Sequence, residues 1–167
     1  SIAGPVVSAA VILKSGFRIE GLKDSKKLTF RQRKKMSKLI KNNSFFSIGT
    51  ASVREIENLN ILQASLLSMK RAIKKLKKKP DLILIDGIHA PKISLNCKTI
   101  IKGDEKIICI SAASIIAKVY RDDIMIKLSR KFKNYDFDKN FGYGTKQHLK
   151  NLKKYGLISI HRKNFSP

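Results

Sequence analysis

Tryptophan is absent from this chain of 167 residues, and cysteine occurs only twice, as Cys97 and Cys109. The two lie twelve positions apart, with no CxxC pair. That excludes a disulfide framework and suits a reducing cytosol. Glycine and proline together supply only 13 residues, while 43% of the chain is hydrophobic, which excludes a disordered or low-complexity chain. No apolar run approaches bilayer length and no signal-peptide pattern is present, so a membrane partner is not expected. Acidic residues are scarce. Twelve Asp and Glu face 36 Lys and Arg, a net charge of +24. Such a field attracts polyanions, above all nucleic acid. Yet 28 of the 36 cations are Lys and there are 23 Ile, a bias that A+T-rich codons also produce, so the charge supports that reading without carrying it.

What is present reads as one domain, residues 1–167, large enough for a single core. Residues 3–13 read as a buried strand and 17–20 as its hairpin partner across Lys14-Ser15-Gly16. A polar loop over 21–28 precedes Thr29, which caps a basic helix carrying Met36, Leu39 and Ile40 at helical spacing. A third strand is expected at 45–53, then an amphipathic helix from Asn60 to Lys79, stopped by Pro80. "DLILIDG" at 81–87 has the continuous apolar run of a strand buried on both faces, and 98–104 reads as its neighbour. A long helix is expected over 110–132, and a last one from Thr145 to Tyr155, closed by Gly156, within a helical C-terminal part from about residue 134. Strands first, then alternating elements, then helices imply an α/β fold: one mixed sheet, antiparallel in its first half and parallel in its second.

With so few acids, each can be weighed. Asp86 ends an apolar strand before Gly87, at the edge where open α/β sheets bind ligands, although a plain Asp-Gly turn has the same pattern. Asp104 follows "IIKG" at the end of the next strand, eighteen positions on, so neighbouring strands would bring both carboxylates to one edge. Clustered carboxylates beside a phosphate are what Mg²⁺ requires; two are few for the task, and Glu105, next to Asp104, would usually point away from it. Asp122 and Asp123 lie within the long helix, and Asp122, beside Arg121, reads as a structural ion pair or a helix-surface charge. His89, His148 and His161 lack metal spacing and read as surface or capping residues. No Walker loop, GxSxG or HExxH occurs. Tyr143, between two glycines in "NFGYGT", suits stacking on a sugar or base, or anchoring its own loop.

Eight blocks, "AGPVVSAAVIL", "GLKDSKKL", "NLNILQASLLSM", "LILIDG", "IIKGDEK", "ISAASIIAKVYRD", "GYGTKQHL" and "HRKNFSP", together resemble bacterial ribonuclease HII in order and over nearly the whole chain. The resemblance implies a ribonuclease H-like fold with a five-stranded mixed sheet flanked by helices. It also implies a cytoplasmic, monomeric endonuclease that uses Mg²⁺ or Mn²⁺. Its substrates would be RNA/DNA hybrids and single ribonucleotides embedded in duplex DNA. By the same resemblance Asp86 and Asp104 are catalytic metal ligands. Tyr143 packs on the deoxyribose next to the ribonucleotide, and Lys26, Lys27 and Arg121 belong to the nucleic-acid-binding surface.

The resemblance further implies a D-E-x-G-R-G segment just ahead of Ser1, carrying two more metal carboxylates and the amides that sense a 2′-hydroxyl. Without that segment the expectation is an inactive chain, or a basic nucleic-acid-binding remnant that does not cut. Gly144 stands where the family usually has proline, and Phe141 where it usually has lysine. A ribosomal-type RNA-packing protein, the reading from composition alone, would favour a charged tail, and none is present.

Overall fold

The computed structural model describes residues 1–18, 22 and 28–165. Val6–Leu13 forms β1 and Ser44–Ala51 forms β2, paired antiparallel from Val6 opposite Ala51 to Leu13 opposite Ser44. Side chains alternate across such a ladder. Ala9, Val11 and Ile48 pack with buried Ile40, Ala112, Ile115 and Ile116. The opposite face carries the small residues Ser8, Ala10, Ser47 and Gly49. Their size lets helix α3 (Ile61–Lys74) sit close: a Cβ at Gly49 would run into the Ser68 carbonyl, and Ser8 Oγ lies 2.6 Å from Ser68 Oγ.

Helix starts follow their caps. Thr29 forms a capping box with Gln32 at the head of α1 (Phe30–Asn42), as its sequence suggests. A second box, Ser52 with Glu55, opens α2 (Val53–Leu59), a helix the apolar pattern does not announce. Asn60 Oδ1 accepts from the Gln63 N–H and starts α3 at the expected residue. That helix ends at Lys74, not Lys79. Residues 75–79 hold four lysines and no acid, so extending the helix would stack like charges with nothing to offset them.

Ile83–Asp86 (β3) and Cys97–Ile100 (β4) pair in parallel, Asp86 opposite Ile100. The expected strand over 98–104 stops early, because Lys102 turns into the left-handed region and Gly103–Lys106 coils into the short helix α4. The long helix α5 (Ile108–Lys131) covers both pairs. It is followed by a single 3₁₀ turn, by α6 (Phe137–Asn140) and by α7 (Lys146–Tyr155), capped by Thr145 and closed by Gly156.

The expected five-stranded sheet needs correcting. Among the described residues there are four strands in two separate ladders, β1–β2 and β3–β4. Phe17 and Arg18 lie outside any strand, and residues 19–20 of the expected hairpin lie outside the described residues. A groove of about 690 Å³ parts the ladders, walled by Val7–Leu13 and Leu82–Asp86 and floored by Ile110, Ala113 and Ala117 of α5. No hydrogen-bonded strand bridges β1 and β3 among the described residues.

A second core lies under the C-terminal part, where Ala3, Met125, Tyr135 and Phe137 are buried together. The first residues are held there: Ala3 bridges His161, Gly4 N–H donates to the Ile160 carbonyl, and Ile2 exchanges backbone bonds with Arg162 and Gly142. Among the described residues no helix is long and apolar enough to cross a membrane.

Candidate active site

Asp86 stands at the carboxyl end of β3 with its side chain exposed, as the strand-end pattern indicates. Its Oδ1 accepts the Gly103 N–H at 2.8 Å. Gly103 immediately precedes Asp104, so the bend that shortens β4 also fastens the turn carrying the second carboxylate to the first. Asp104 is half-buried in the first turn of α4, and Glu105 beside it is exposed. The two aspartates offer hard oxygen donors, and one or two carboxylates with waters and a substrate phosphate is the usual way a protein holds Mg²⁺. Their chemistry fits such an ion. Among the described residues, no group of three or more His, Cys, Asp or Glu gathers that could hold a metal.

Asp122 is an internal ion pair, as expected, but its partner is Lys118, one turn earlier at 2.8 Å, and not Arg121. Asp123 pairs with Lys34 at 2.9 Å. Arg121, expected on the nucleic-acid-binding surface, needs a different account. Its guanidinium donates to the carbonyls of Pro5, Phe141 and Ala3 at 3.3, 2.9 and 3.0 Å. An arginine so committed to backbone carbonyls has little left for a phosphate; it ties the first residues to the loop before Tyr143.

Tyr143 is 45% exposed, with Lys118 Nζ 5.1 Å and the Arg121 guanidinium carbon 5.5 Å from its ring centre. Its loop is fixed from several sides. Asn140 Oδ1 accepts the Gly142 N–H, the Gly142 carbonyl accepts the N–H groups of Ile2 and Ala3, and Tyr143 N–H donates to the Asn140 carbonyl. Phe141, in place of the usual lysine, stacks on Phe30 at 5.9 Å and receives Lys118 over its ring at 5.3 Å. A cation is thus presented beside that position by α5. Beyond the loop, α7 carries Lys146, Lys150, Lys153 and Lys154, all exposed, and no acid. Lys26 and Lys27 lie outside the described residues.

Two histidines are placed otherwise than the sequence suggested. His148 and His161 are buried, 0% and 1% exposed, with Nε2 atoms 3.1 Å apart. Burial pushes both imidazoles down from the ordinary histidine range, His161 to about 4 with the neighbouring His148 adding to the effect. His89 is exposed, as expected. Arg162 is the functional-region residue that sequence reasoning passed over. It is 5% exposed and donates to the carbonyls of Gly4, Ser1 and Pro5, and burial pushes its pKa down to about 10. Its one sequence signal was an arginine standing next to histidine in "HRKNF".

This arrangement has close counterparts among solved structures. The chain superposes on ribonuclease HII of Archaeoglobus fulgidus, determined in complex with PCNA, with a TM-score of 0.74 at 25% identity over 97% of this chain and 86% of that one. For the ribonuclease H2 of Pyrococcus horikoshii OT3 the values are 0.71, 28%, 98% and 89%. The architecture is therefore ribonuclease H-like, and the parted ladders are a local departure from it. At the level of sequence, ribonuclease HII of Pelagibacter ubique (strain HTCC1062) is 56% identical over 168 residues, covering 100% of this chain and 90% of the relative. The ribonuclease HII family model matches residues 1–167. The chain belongs to the ribonuclease HII family and is a type 2 ribonuclease H enzyme.

Proposed function

We propose that the protein cuts the RNA strand of RNA/DNA hybrids, and single ribonucleotides embedded in duplex DNA, by metal-assisted phosphodiester hydrolysis in the cytoplasm, as a monomer. The observation that carries this reading is the bond from Gly103 N–H to Asp86, which draws two carboxylates to one end of neighbouring parallel strands. Asp86 and Asp104 would hold Mg²⁺ or Mn²⁺. Such an ion, when bound, activates a water and offsets charge on the leaving oxygen. The Gly103 amide fixes one oxygen of Asp86 and so holds the carboxylate in one orientation for an ion to meet. Tyr143 offers an exposed ring face to the deoxyribose beside the ribonucleotide, and Lys118 and Arg121 flank that ring with positive charge. Lys26 and Lys27 meet phosphates in this reading, whereas Arg121 supports the Tyr143 loop.

A second reading, binding without cleavage, is favoured by one specific observation: no third carboxylate joins the aspartate pair among the described residues. Gel-resolved cleavage of a labelled duplex carrying one ribonucleotide, with Mg²⁺ or Mn²⁺, separates the two. Metal-dependent cutting that Asp86→Asn and Asp104→Asn each abolish supports the enzyme. Tight binding with no cutting supports the second reading. Cutting that survives both substitutions overturns the assignment of the site.

A further inference from the structure

The buried imidazole pair has a proton inventory that can be read from its ends. His148 Nδ1 lies 2.8 Å from the Tyr143 carbonyl, which only accepts, so Nδ1 carries a proton. At the other end His161 Nδ1 accepts the Ile158 N–H at 3.0 Å, so that nitrogen is bare. Between them the two Nε2 atoms at 3.1 Å need one proton, and it belongs to His161. The chain runs Ile158 N–H to His161, His161 Nε2–H to His148, and His148 Nδ1–H to the Tyr143 carbonyl. Every donor meets an acceptor only while both rings are neutral. An added proton on either ring sets two donors face to face, whichever tautomer the other adopts. Among the described residues, the hydrogen bonds to the two rings come from Ile158, Tyr143 and the rings themselves. Tyr135 and Phe137 rings pack edge-on or tilted against both imidazoles.

The charged groups nearby are engaged elsewhere. Asp136, from the turn before α6, accepts from Asn151 and Lys139, and Arg162, next to His161, faces the carbonyls of Ser1, Gly4 and Pro5. Lys118 and Arg121 of α5 lie over the Tyr143 ring and add only positive charge. No carboxylate meets either imidazole in these bonds.

We propose that His148 and His161 are positioning residues for Tyr143: a neutral two-imidazole relay that fixes the Tyr143 carbonyl from the C-terminal segment and lets go when a proton is added. The role in recognition rests on the reading of Tyr143 given above. The relay does not touch substrate, so its effect reaches the junction only through the placement of the tyrosine ring.

The test compares His161→Gln with His161→Phe in the full chain. Glutamine keeps an acceptor and a donor in reach of Ile158 and His148 without a titratable group; phenylalanine keeps the packing and loses both bonds. The readout is the binding preference, by fluorescence anisotropy, for a duplex with one ribonucleotide over the same all-DNA duplex, beside thermal unfolding of each variant. His161→Phe should lower the preference about threefold to tenfold, the equivalent of one neutral hydrogen bond. His161→Gln should stay within about twofold of the wild type by the same measure. Wild-type preference should hold through mildly acidic pH and fall as pH drops through about 4, where the folded His161 takes up a proton, whereas stability declines from 6.5 downward. Long-range proton–nitrogen NMR should show His148 protonated on Nδ1 and His161 on Nε2 at neutral pH. Equal behaviour of the two variants, a flat pH profile or the opposite tautomers would overturn the proposal. Tyr143→Ala separates the layers: an unchanged preference there refutes Tyr143 as the junction contact, while the NMR tautomers still decide whether the relay exists.

Discussion

Gly142→Ala is the substitution whose outcome the geometry fixes most sharply. Gly142 sits at φ 78, and an added Cβ would lie 2.5 Å from the Ala3 carbonyl oxygen and 3.0 Å from Met125 Cε. The methionine end can swing aside; the backbone carbonyl cannot, because Arg121 also holds it at 3.0 Å. Placing alanine in the left-handed region costs about 1–2 kcal/mol by itself. Relieving the clash moves the Gly142 carbonyl away from Ile2 N–H at 2.8 Å and Ala3 N–H at 3.2 Å. These amides belong to buried residues, and each lost partner costs on the order of 1 kcal/mol or more. The total is about 2–4 kcal/mol, which for a domain of this size lowers Tm by roughly 5–15 °C. Differential scanning calorimetry reads it directly. A Tm within about 2 °C of the wild type would show that this loop is not fastened as described.

The remaining predictions concern charge. Binding to duplex nucleic acid should weaken steeply with salt, with a log–log slope of about −0.9 for each phosphate neutralised, and titrations at several salt concentrations would reveal a flat response. Glu55 accepts both guanidinium nitrogens of Arg71, at 2.6 and 3.0 Å, and those bonds, with the Ser52 amide and hydroxyl, hold its carboxyl down at about 2, against the ordinary 4.5. A depressed carboxylate stabilises the fold above pH 4.5 and loses that contribution as pH falls through about 2. The pair is part-exposed, so Glu55→Gln should cost only about 1 kcal/mol at neutral pH. The two proteins should converge in acid denaturation curves near pH 2; a gap that persists there would refute the assignment.

Much of this was legible before any coordinates. Apolar runs marked β1 and β2, amphipathic spacing marked α3, and the apolar run ending in Asp86 marked the strand end that carries the candidate carboxylate. What escaped reading depended on contacts across the chain. The bend at Lys102 that pulls Asp104 off β4 answers to an amide bonding a carboxylate seventeen positions earlier, and no local pattern encodes that. The break between the ladders is a property of strand pairing, which the composition of β1 and β3 leaves open. His148 and His161 looked like surface residues because nothing in "KQHLK" or "ISIHR" shows that the two rings meet in an aromatic box. Arg121 was placed on the nucleic-acid-binding surface for the same reason: its carbonyl partners lie 116 and 118 positions before it and 20 after it.

The stitching of residues 1–5 to residues 158–162 also sets the order in which the molecule can be completed. Arg162 and Ser1 are 161 positions apart, and closing a loop of that size costs roughly 4–5 kcal/mol of chain entropy. No local element repays this cost, so the contacts form only after the intervening core has brought the ends together. The segment leading into β1 therefore waits for residues more than 150 positions later before its carbonyls meet a guanidinium. The Tyr143 loop, held by those same residues, waits with it. The placement of the exposed Tyr143 ring is thus completed late, after the core that separates the two ends of the chain.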